Sequence, residues 1–381
     1  MASVGLKELI AVARVIGSGR LQRHAGKEPS FTTRFEAALK QKLNVKHVLA
    51  VNSGTSALVA ALVGAGIGPG DEVLVPAYTW VSTAVACLAV GAVPILVDID
   101  ESLTISPEDI VRKITPYTKA IIPVHMLNLV CNMDAIVGIA RKFNLKIIED
   151  ACQAVGVSYK GRRVGTIGEV GAFSFSQRKN LSSGEGGAVL THDDRIFSRA
   201  RIYHDVGSHV RDYEIEGNEP LFAGLNMKMA EMAGAVLHAQ VSKLDPLLKR
   251  LGRRRNVMVE SLSKSRRVRI SPHHDASNAV GLSVIFEKPE EAEAFGKQRG
   301  VQWLIETERH VYTNWIPVLT QRTFDERMNP YRWAHREISY SADMCSTTLD
   351  VLRRTCNISL GAEYPLVLMQ GHAKQLLRSL A

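Results

Sequence analysis

The segment GAFSFSQRKNLSSGEGGAVLT, residues 171–191, indicates how the chain is organised. Its two ends, GAFSF and GAVLT, are almost continuously apolar, and an irregular stretch rich in glycine lies between them. Strands that are covered on both faces need this near-continuous apolar character. The segment therefore predicts two buried strands with an irregular connection that carries Lys179.

Five similar runs lie closer to the N-terminus, and segments of helical character alternate with them. They are HVLAV (47–51), DEVLVP (71–76), VPILVD (93–98), KAIIPV (119–124) and LKIIED (145–150). Alternation of buried strands with helices is typical of α/β proteins. We therefore predict a doubly wound, mostly parallel, seven-stranded sheet with helices on both faces.

The pattern changes after Asn226. A long helical, arginine-rich stretch runs from Met227 to about Lys264, and strand-like RVRISP and GLSVIFE and helical EEAEAFGKQRG follow it. This order predicts a smaller C-terminal α+β domain that is joined through a long helix. We place the large domain, with an N-terminal helical segment, at residues 1–240 and the smaller one at 241–381.

Composition excludes several classes of protein. With 46% hydrophobic and 22% charged residues, the 381-residue chain has enough apolar material for a large core. The net charge is +9, and the densest basic cluster is Lys249, Arg250, Arg253, Arg254 and Arg255. Because no aromatic residues are interleaved with this cluster, we interpret it as the solvated face of a helix and predict no nucleic-acid partner.

Location and metal binding can also be predicted. The five cysteines show no C-x-x-C spacing, which argues against a disulfide framework and a zinc site and suits a reducing cytoplasm. The N-terminus lacks a secretory signal. The most apolar stretch, residues 81–97, is interrupted by Gly91 and Pro94 and predicts a buried helix and a buried strand. We therefore predict a cytoplasmic protein with no membrane span and no bound metal.

Two glycine-containing segments are candidates for phosphate binding. GAGIGPG, residues 64–70, follows a helix and precedes a strand, which is the wrong order for a dinucleotide-binding loop. The segment NSGTS, residues 52–56, follows a predicted strand and opens a helix, so free N–H groups and the helix dipole favour an anion there. An ordinary Ser/Thr helix cap would give the same local pattern.

Polar residues further along the chain could complete a site, and two of them, Asp150 and Lys179, are candidates for catalysis. Asp150 ends the strand LKIIED, where open α/β sheets build their sites, and Gln153 lies just beyond it. Lys179 has Ser174 before it and glycines after it, and these glycines permit the tight turns that a lysine over a planar cofactor needs. The alternatives are that Asp150 only caps a helix and that Lys179 is an ordinary surface lysine.

Seven motifs in their order along the chain resemble the DegT/DnrJ/EryC1/StrS family of sugar aminotransferases, which have the aspartate-aminotransferase fold, type I. The motifs are SGTSAL, GDEVLVPAYTW, GAVPILVDID, TKAIIPVH, IIEDACQAVG, FSFSQRKNLSSGEGGAV and GLNMKMAEMAGAVLHAQ. The resemblance implies a pyridoxal 5'-phosphate (PLP)-dependent aminotransferase of amino-sugar or natural-product biosynthesis. The implied donor is glutamate or glutamine, and the implied acceptor is a keto or aldehyde sugar, either nucleotide-linked or an ulosonic acid.

The resemblance also implies a role for each candidate residue. Lys179 would form the Schiff base with PLP and then act as general base and acid, while Asp150 would keep the pyridine nitrogen protonated. The other implied cofactor-binding residues are Gly54, Thr55, Ser56 and Ser174 at the phosphate, Trp80 on the ring and Gln153 near the phenolic oxygen. Asn226 would reach the phosphate of the neighbouring subunit, which implies a homodimer with shared active sites.

Three departures from the family pattern concern the substrate. The usual H-x-x-G appears as HMLNLV, residues 125–130, without the glycine; Lys228 replaces a frequent arginine; and the C-terminal segments match loosely. The alternative for His125 is a core histidine whose hydrogen bonds are satisfied. The alternative for Asn226 is a cap of a helix that starts near Met227. The alternative reactions are elimination or dehydration within the same family, and a scaffold protein without catalysis. The sugar dehydratases of the family have histidine in place of the lysine, so Lys179 favours transamination.

Overall fold

The computed structural model describes residues 4–23, 29–207, 219–361 and 365–380. The α-helices are α1 (Leu6–Ser18), α2 (Phe31–Leu43), α3 (Gly54–Gly64), α4 (Ser82–Ala89), α5 (Pro107–Lys113), α6 (Met133–Phe143), α7 (Asp194–His204), α8 (Glu231–Val241), α9 (Leu244–Leu262), α10 (Pro289–Gly296), α11 (Ile316–Leu319), α12 (Ser346–Arg353) and α13 (Leu366–Arg378). The strands are β1 (His47–Val51), β2 (Glu72–Pro76), β3 (Val93–Val97), β4 (Thr118–Ile121), β5 (Lys146–Asp150), β6 (Ser158–Tyr159), β7 (Arg162–Arg163), β8 (Val170–Ser174), β9 (Gly187–Thr191), β10 (Arg269–Ile270), β11 (Ser283–Ile285), β12 (Val301–Trp303) and β13 (Thr355–Ile358).

The seven apolar runs form one seven-stranded sheet, as predicted. The strand order is β1-β9-β8-β5-β4-β2-β3. Every strand except β9 runs in the same direction, and β9 is antiparallel to both of its neighbours. Strands β1, β2, β3, β8 and β9 are buried along their whole length. Apolar clusters cover both faces of the sheet, which explains why the runs are almost continuously apolar.

The N-terminal helix and the helix–strand pair in the most apolar stretch are confirmed as α1, α4 and β3. α1 and α2 both pack against α8. In the part of the chain that the structure describes, no helix combines the length and apolar character that a membrane span requires. The same residues contain no group of three or more His, Cys, Asp or Glu that could hold a metal ion.

A smaller antiparallel sheet, in the order β10-β11-β13-β12, forms the C-terminal α+β part. The predicted single helix from Met227 to Lys264 is wrong, because residues 226–230 are extended and two helices, α8 and α9, follow. Pro246 explains the break: it has no N–H to donate and occupies the first turn of α9, where none is needed. The division of the domains at residue 240 stays a prediction.

The interpretation of the basic cluster is wrong for two of its five members. Arg254 and Arg255 on α9 are buried, whereas the other three are exposed. Arg254 donates to the backbone carbonyls of Leu360 and Gly361, and Nε of Arg255 donates to the carbonyl of Gly281 at 3.0 Å. The two buried guanidinium groups donate hydrogen bonds to backbone carbonyls in irregular segments of the C-terminal part. Only the tertiary structure brings these acceptors to the helix.

Candidate functional site

The candidate residues follow strands whose carboxyl ends lie at one edge of the large sheet. Asp150 ends β5, Ser174 ends β8, and residues 52–56 follow β1. Gly187, the first residue of antiparallel β9, pairs with both Ser174 and Val51 and so links two of these ends. The sequence therefore brings its polar residues together where open α/β sheets bind ligands.

The N-terminus of α3 offers two free amide groups. Ser53 caps the helix by accepting from the N–H of Ser56 at 3.0 Å, so the prediction of a cap is also correct. The N–H groups of Gly54 and Thr55 have no acceptor among the described residues. The hydroxyl of Thr55 donates to Ser82 at 2.9 Å. This end of α3 can therefore accept an anion through backbone donors.

Gly54 is packed too tightly for any other residue. A Cβ atom built on it would lie 2.7 Å from Cβ of Ser174 and 3.2 Å from Sγ of Cys152. The glycine therefore allows β8 and the start of α3 to approach closely, with the Ser174 side chain directly beside the free amides.

Asp150 is buried, and each of its carboxylate oxygens accepts a hydrogen bond. Oδ2 accepts from the hydroxyl of Thr83 at 2.8 Å, and Oδ1 accepts from the backbone N–H of Cys152 at 3.1 Å. No helix begins at this strand end, so Asp150 is not a helix cap. Each oxygen retains a further lone pair, so the group can accept from a protonated ring nitrogen.

Lys179 is half-buried, and no carboxylate of the described residues pairs with it. Its neighbour Asn180 fixes the segment by donating from Nδ2 to Oδ1 of Asn128 and to the carbonyl of Val155, both at 2.9 Å. Gly184 adopts a φ of +88°, a left-handed conformation that suits glycine and confirms the predicted tight turn. The backbone around Lys179 is therefore anchored, and its side chain is only partly exposed to solvent.

Cys152 lies near both catalytic candidates, and its position in the sequence gives no signal for this. Burial raises the pKa of its thiol well above the usual value, and the nearby Asp150 carboxylate acts in the same direction. The charge of Lys179 acts in the opposite direction on the same pKa. Asp150 and Lys179 therefore both lie close enough to the Cys152 thiol to act on its pKa, and the thiol is neutral at physiological pH.

Gln153 is held in a defined orientation by the turn at residues 126–128. Its Oε1 accepts from the N–H of Leu127 at 3.3 Å, which leaves the two Nε2 protons as donors. Asn128 has a φ of +62° at the position where the family pattern has glycine. Asparagine tolerates this left-handed conformation, which explains how the turn forms without the glycine.

His125 is a core histidine whose hydrogen bonds are satisfied, which is the alternative that the sequence left open for it. The residue is fully buried. Nδ1 accepts from the N–H of Cys131 at 3.2 Å, and Nε2 donates to Oε2 of Glu149 at 3.0 Å. Both ring nitrogens are therefore used within the core.

Trp80 lies in the connection from β2 to α4 and is 40% exposed. The ring centroids of Trp80 and His310 are 5.2 Å apart, and the guanidinium of Arg309 is 5.7 Å from the Trp80 ring. Sequence reasoning missed Thr83, Arg309 and His310, because nothing in the local sequence shows that they contact Asp150 or Trp80. A partly exposed aromatic ring next to a guanidinium group suits a planar, anionic ligand.

Asn226 lies next to the phosphate candidate but does not cap a helix. The N–H of Asn52 donates to the carbonyl of Met227 at 2.8 Å, and α8 begins only at Glu231. The alternative of a helix starting near Met227 is therefore wrong. Asn226 itself is exposed, and Lys228 forms an ion pair with Asp205.

Comparisons with known proteins agree with this geometry. Residues 5–351 match the DegT/DnrJ/EryC1/StrS aminotransferase family. GDP-perosamine synthase of Caulobacter vibrioides is 40% identical over 217 residues, which are 56% of this chain and 57% of the relative. L-glutamine:2-deoxy-scyllo-inosose aminotransferase of Micromonospora echinospora is 39% identical over 248 residues, 62% of this chain and 59% of the relative. The matches thus span less than two thirds of the length of these relatives.

Solved structures extend the similarity over the whole chain. The crystal structure of DesV of S. venezuelae is 29% identical with a TM-score of 0.78, and the alignment covers 98% of this chain and 92% of DesV. 3-Amino-5-hydroxybenzoic acid synthase, at 24% identity and a TM-score of 0.81, shares the fold over 99% of this chain and 97% of its own. The chain therefore belongs to the DegT/DnrJ/EryC1/StrS aminotransferase family.

Proposed function

We propose that the protein is a PLP-dependent aminotransferase that moves an amino group from glutamate or glutamine to a keto or aldehyde sugar. The acceptor is nucleotide-linked or an ulosonic acid, in amino-sugar or natural-product biosynthesis. One observation carries the proposal: Lys179, the buried Asp150 carboxylate and the N-terminal amides at Gly54 all lie near a single thiol, that of Cys152, and among the described residues neither the lysine side chain nor these amides have a partner.

The residues present fit PLP at each of its polar groups. The N–H groups of Gly54 and Thr55, with the hydroxyl of Ser174, would hold the phosphate, and Ser56 belongs to the same helix turn. Asp150 would accept from the ring nitrogen, and Nε2 of Gln153 would donate to the phenolic oxygen. The exposed Trp80 would cover the ring.

When bound, PLP supplies an electron sink that stabilises the negative charge left after proton removal from the donor. Asp150 sustains this property, because a carboxylate next to the ring nitrogen favours its protonated form. The Lys179 amine accepts the proton from the donor carbon and returns it to the product side, so one residue serves as general base and acid. The fully buried Thr83 excludes water from Oδ2 of the Asp150 carboxylate, to which its hydroxyl donates.

The names of the relatives support the choice of substrates. GDP-perosamine synthase acts in the chemistry of a nucleotide-linked amino sugar, and the inosose aminotransferase is named for glutamine as its donor. Elimination is the alternative reaction within the family, and retention of Lys179 favours transamination over it.

We also propose a homodimer in which Asn226 reaches the cofactor phosphate of the partner subunit. Asn226 is exposed, and it precedes Met227, whose carbonyl accepts from the N–H of Asn52 at the edge of the site. Leu221, Leu225 and Met232 near it are large apolar side chains exposed on the isolated chain. A second subunit would cover such a patch and complete two sites at one interface.

A half-reaction screen tests the function. The purified, PLP-loaded protein is mixed with glutamate, glutamine or alanine without an acceptor, and the cofactor absorbance and the released keto acid are measured. We expect one keto acid per site from glutamate or glutamine, with conversion of the cofactor to its amine form. A keto sugar is then added in a second step, and transamination should give an amino sugar, whereas a sugar product that lacks nitrogen would indicate elimination. No donor reaction at all in the first step would contradict the proposal.

A further inference from the structure

Gln240 is a fully buried amide that contacts the segment carrying Lys179. It lies in the last turn of α8, and its side chain reaches Ser182. Oε1 of Gln240 accepts from the N–H of Ser182 at 2.9 Å, and Nε2 donates to the carbonyl of the same residue at 2.9 Å. The side-chain amide therefore pairs with both backbone groups of Ser182, as a residue of an antiparallel strand would.

The surroundings of Gln240 on its own helix are apolar. Leu237, Val241 and Leu244 are all buried. A leucine or methionine at position 240 would fill such a place without needing partners, whereas a buried amide is costly unless it forms hydrogen bonds. The backbone of Ser182 supplies both partners, so the contact between α8 and this residue accounts for the amide.

Residues 175–186, between β8 and β9, form a loop that we call the lysine loop. Its internal bonds close it: Phe175 N–H donates to Gly186 at 2.8 Å, and Ser183 N–H donates to Phe175 at 3.0 Å. Lys179 N–H donates to Ser176 at 3.0 Å within the same loop. These bonds set the shape of the loop, but its position relative to the other elements depends on contacts with them.

Two side-chain contacts of this kind follow Lys179 directly. Asn180 ties the lysine loop to the turns after β4 and β5, and Gln240 ties Ser182 to α8. Leu181 between them is fully buried. The backbone on the C-terminal side of the lysine is therefore fixed to two different parts of the fold.

Helix α8 gives Gln240 a firm support. The carboxylate of Glu231, in its first turn, accepts from the N–H of Phe31 at 2.6 Å and from that of Thr32 at 3.1 Å, at the start of α2. A Cβ built on Gly234 would lie 2.5 Å from Oγ1 of Thr32, so the two helices are in close contact. Because such packing leaves no room for a shift of α8, Gln240 holds the lysine loop at a defined position.

We propose that Gln240 is a positioning residue for Lys179. It does not act on the reacting atoms; it fixes the backbone of Ser182, so that the lysine amine stays where it can transfer a proton. A displacement of about 1 Å can cost roughly a hundredfold in rate, so this anchor affects catalysis directly. The inference rests on the proposed function, since it concerns proton transfer by Lys179 in that reaction.

Gln240→Met tests the proposal, because methionine has a similar length and volume but forms neither hydrogen bond. Gln321→Met is the matched control. Nε2 of Gln321 donates to the carbonyl of Ile338 at 2.6 Å, so the same substitution removes a bond of the same type in the C-terminal part. Thermal unfolding of both variants measures what each substitution costs in stability.

Hydrogen exchange of the PLP-loaded protein, followed by mass spectrometry, is the first measurement. We expect the peptide that contains Lys179 and Ser182 to exchange about tenfold faster in Gln240→Met, because loss of the anchor makes local opening easier. The same peptide should exchange as in wild type in Gln321→Met. Unchanged exchange in Gln240→Met would overturn the proposal, since the amide would then not hold the lysine loop.

The single-turnover rate with glutamate is the second measurement. In Gln240→Met it should fall about tenfold or more, because the amine is less well placed for proton transfer. The KM for glutamate and the Kd for PLP should stay within about twofold, because the binding contacts are intact. A lower unfolding temperature with a normal rate per folded molecule, or an equal loss of rate in Gln321→Met, would assign Gln240 a structural role only and overturn the proposal.

Gln240→Glu covers the case in which Gln240→Met does not fold. It keeps the volume and the oxygen that accepts from the Ser182 N–H, but it replaces the donor Nε2, so both measurements should change in the same direction. Loss of folding in both variants would show that Gln240 supports the whole domain and would overturn its specific role.

The wild-type half-reaction keeps this proposal separate from the proposed function. If wild type gives no keto acid from glutamate or glutamine while exchange of the lysine loop depends on Gln240, the proposed function fails and the loop anchor stands. If the half-reaction proceeds at the same rate in wild type and in the Gln240 variants, the function stands and the positioning role fails.

Discussion

The hydroxyl of Thr83 donates a hydrogen bond to Oδ2 of Asp150 across 2.8 Å, and both side chains are buried. Thr79 lies 2.8 Å from the same Thr83 hydroxyl and can donate to it. A chain of two hydroxyl groups on the α4 side thus orients the carboxylate that the proposed mechanism uses. Neither threonine has a local sequence pattern that indicates this role.

Thr83→Val should slow proton transfer without unfolding the protein, because it keeps the side-chain volume but removes the donor to Asp150. A hydrogen bond to a charged group contributes about 1.5–3 kcal/mol, so we expect a loss of about tenfold or more in the single-turnover rate with glutamate. Thr83→Ser, which keeps the hydroxyl, should restore most of the rate. An unchanged rate in Thr83→Val would show that Asp150 is oriented without Thr83.

Lys179→Ala should abolish turnover, because the segment between β8 and β9 contains no other lysine. The hydrogen bonds of the neighbouring Asn180 fix this segment in place. Mass spectrometry after borohydride treatment provides the measurement: wild type should retain cofactor mass on a peptide that contains Lys179, and the variant should not. Arg178→Ala is the control, because Arg178 is the exposed neighbour. Covalent cofactor and normal activity in Lys179→Ala would refute the central assignment.

Asp150→Asn should leave cofactor bound but reduce the rate of proton abstraction by several orders of magnitude. A neutral amide cannot favour a protonated ring nitrogen as a carboxylate does. Stopped-flow measurement of the donor half-reaction, with thermal unfolding in parallel, separates this effect from instability. A variant with lowered stability and a near-normal rate per folded molecule would assign Asp150 a structural role only.

Gly54→Ala should weaken cofactor retention, because the new Cβ would lie 2.7 Å from Cβ of Ser174 at the phosphate end of the site. Overpacking costs about 1–3 kcal/mol, so the Kd for PLP should rise about tenfold. Gly138→Ala on α6 is the control, since a Cβ there meets nothing within 4 Å. Equal PLP affinity in both variants would show that the start of α3 does not hold the phosphate.

Mixing inactive variants tests whether Asn226 acts across the dimer. If it does, a heterodimer of Lys179→Ala and Asn226→Ala subunits has one site with both lesions and one intact site, so activity should return. The recovered activity should approach one quarter of the wild-type value per chain after random exchange, roughly as mass action requires. If Asn226 acts within its own chain, every site keeps one lesion and mixing restores nothing.

Most of the large sheet could be predicted because its strands are buried on both faces and therefore almost continuously apolar. HVLAV and GAVLT identify β1 and β9 directly, although the antiparallel direction of β9 is not encoded in such a run. The division into α8 and α9 near Pro246 was not predicted, although the end of the helical stretch near Lys264 agrees with α9. The helix start at Met227 was wrong because residues 226–230 depend on tertiary pairing, as the bridge from Val51 to Lys228 shows. Arg254 and Arg255 were placed in solvent for the same reason.

The sequence by itself determined the family, the seven strands and the positions of Lys179 and Asp150, because each has a local pattern of apolar runs, strand ends and glycines. Only the tertiary structure decided their surroundings. Thr83 reaches Asp150 from 67 residues away, and Arg309 and His310 of the C-terminal part contact Trp80. Such contacts depend on how helices and domains pack on the sheet, and packing is fixed by the sum of distant interactions that no short stretch of sequence contains.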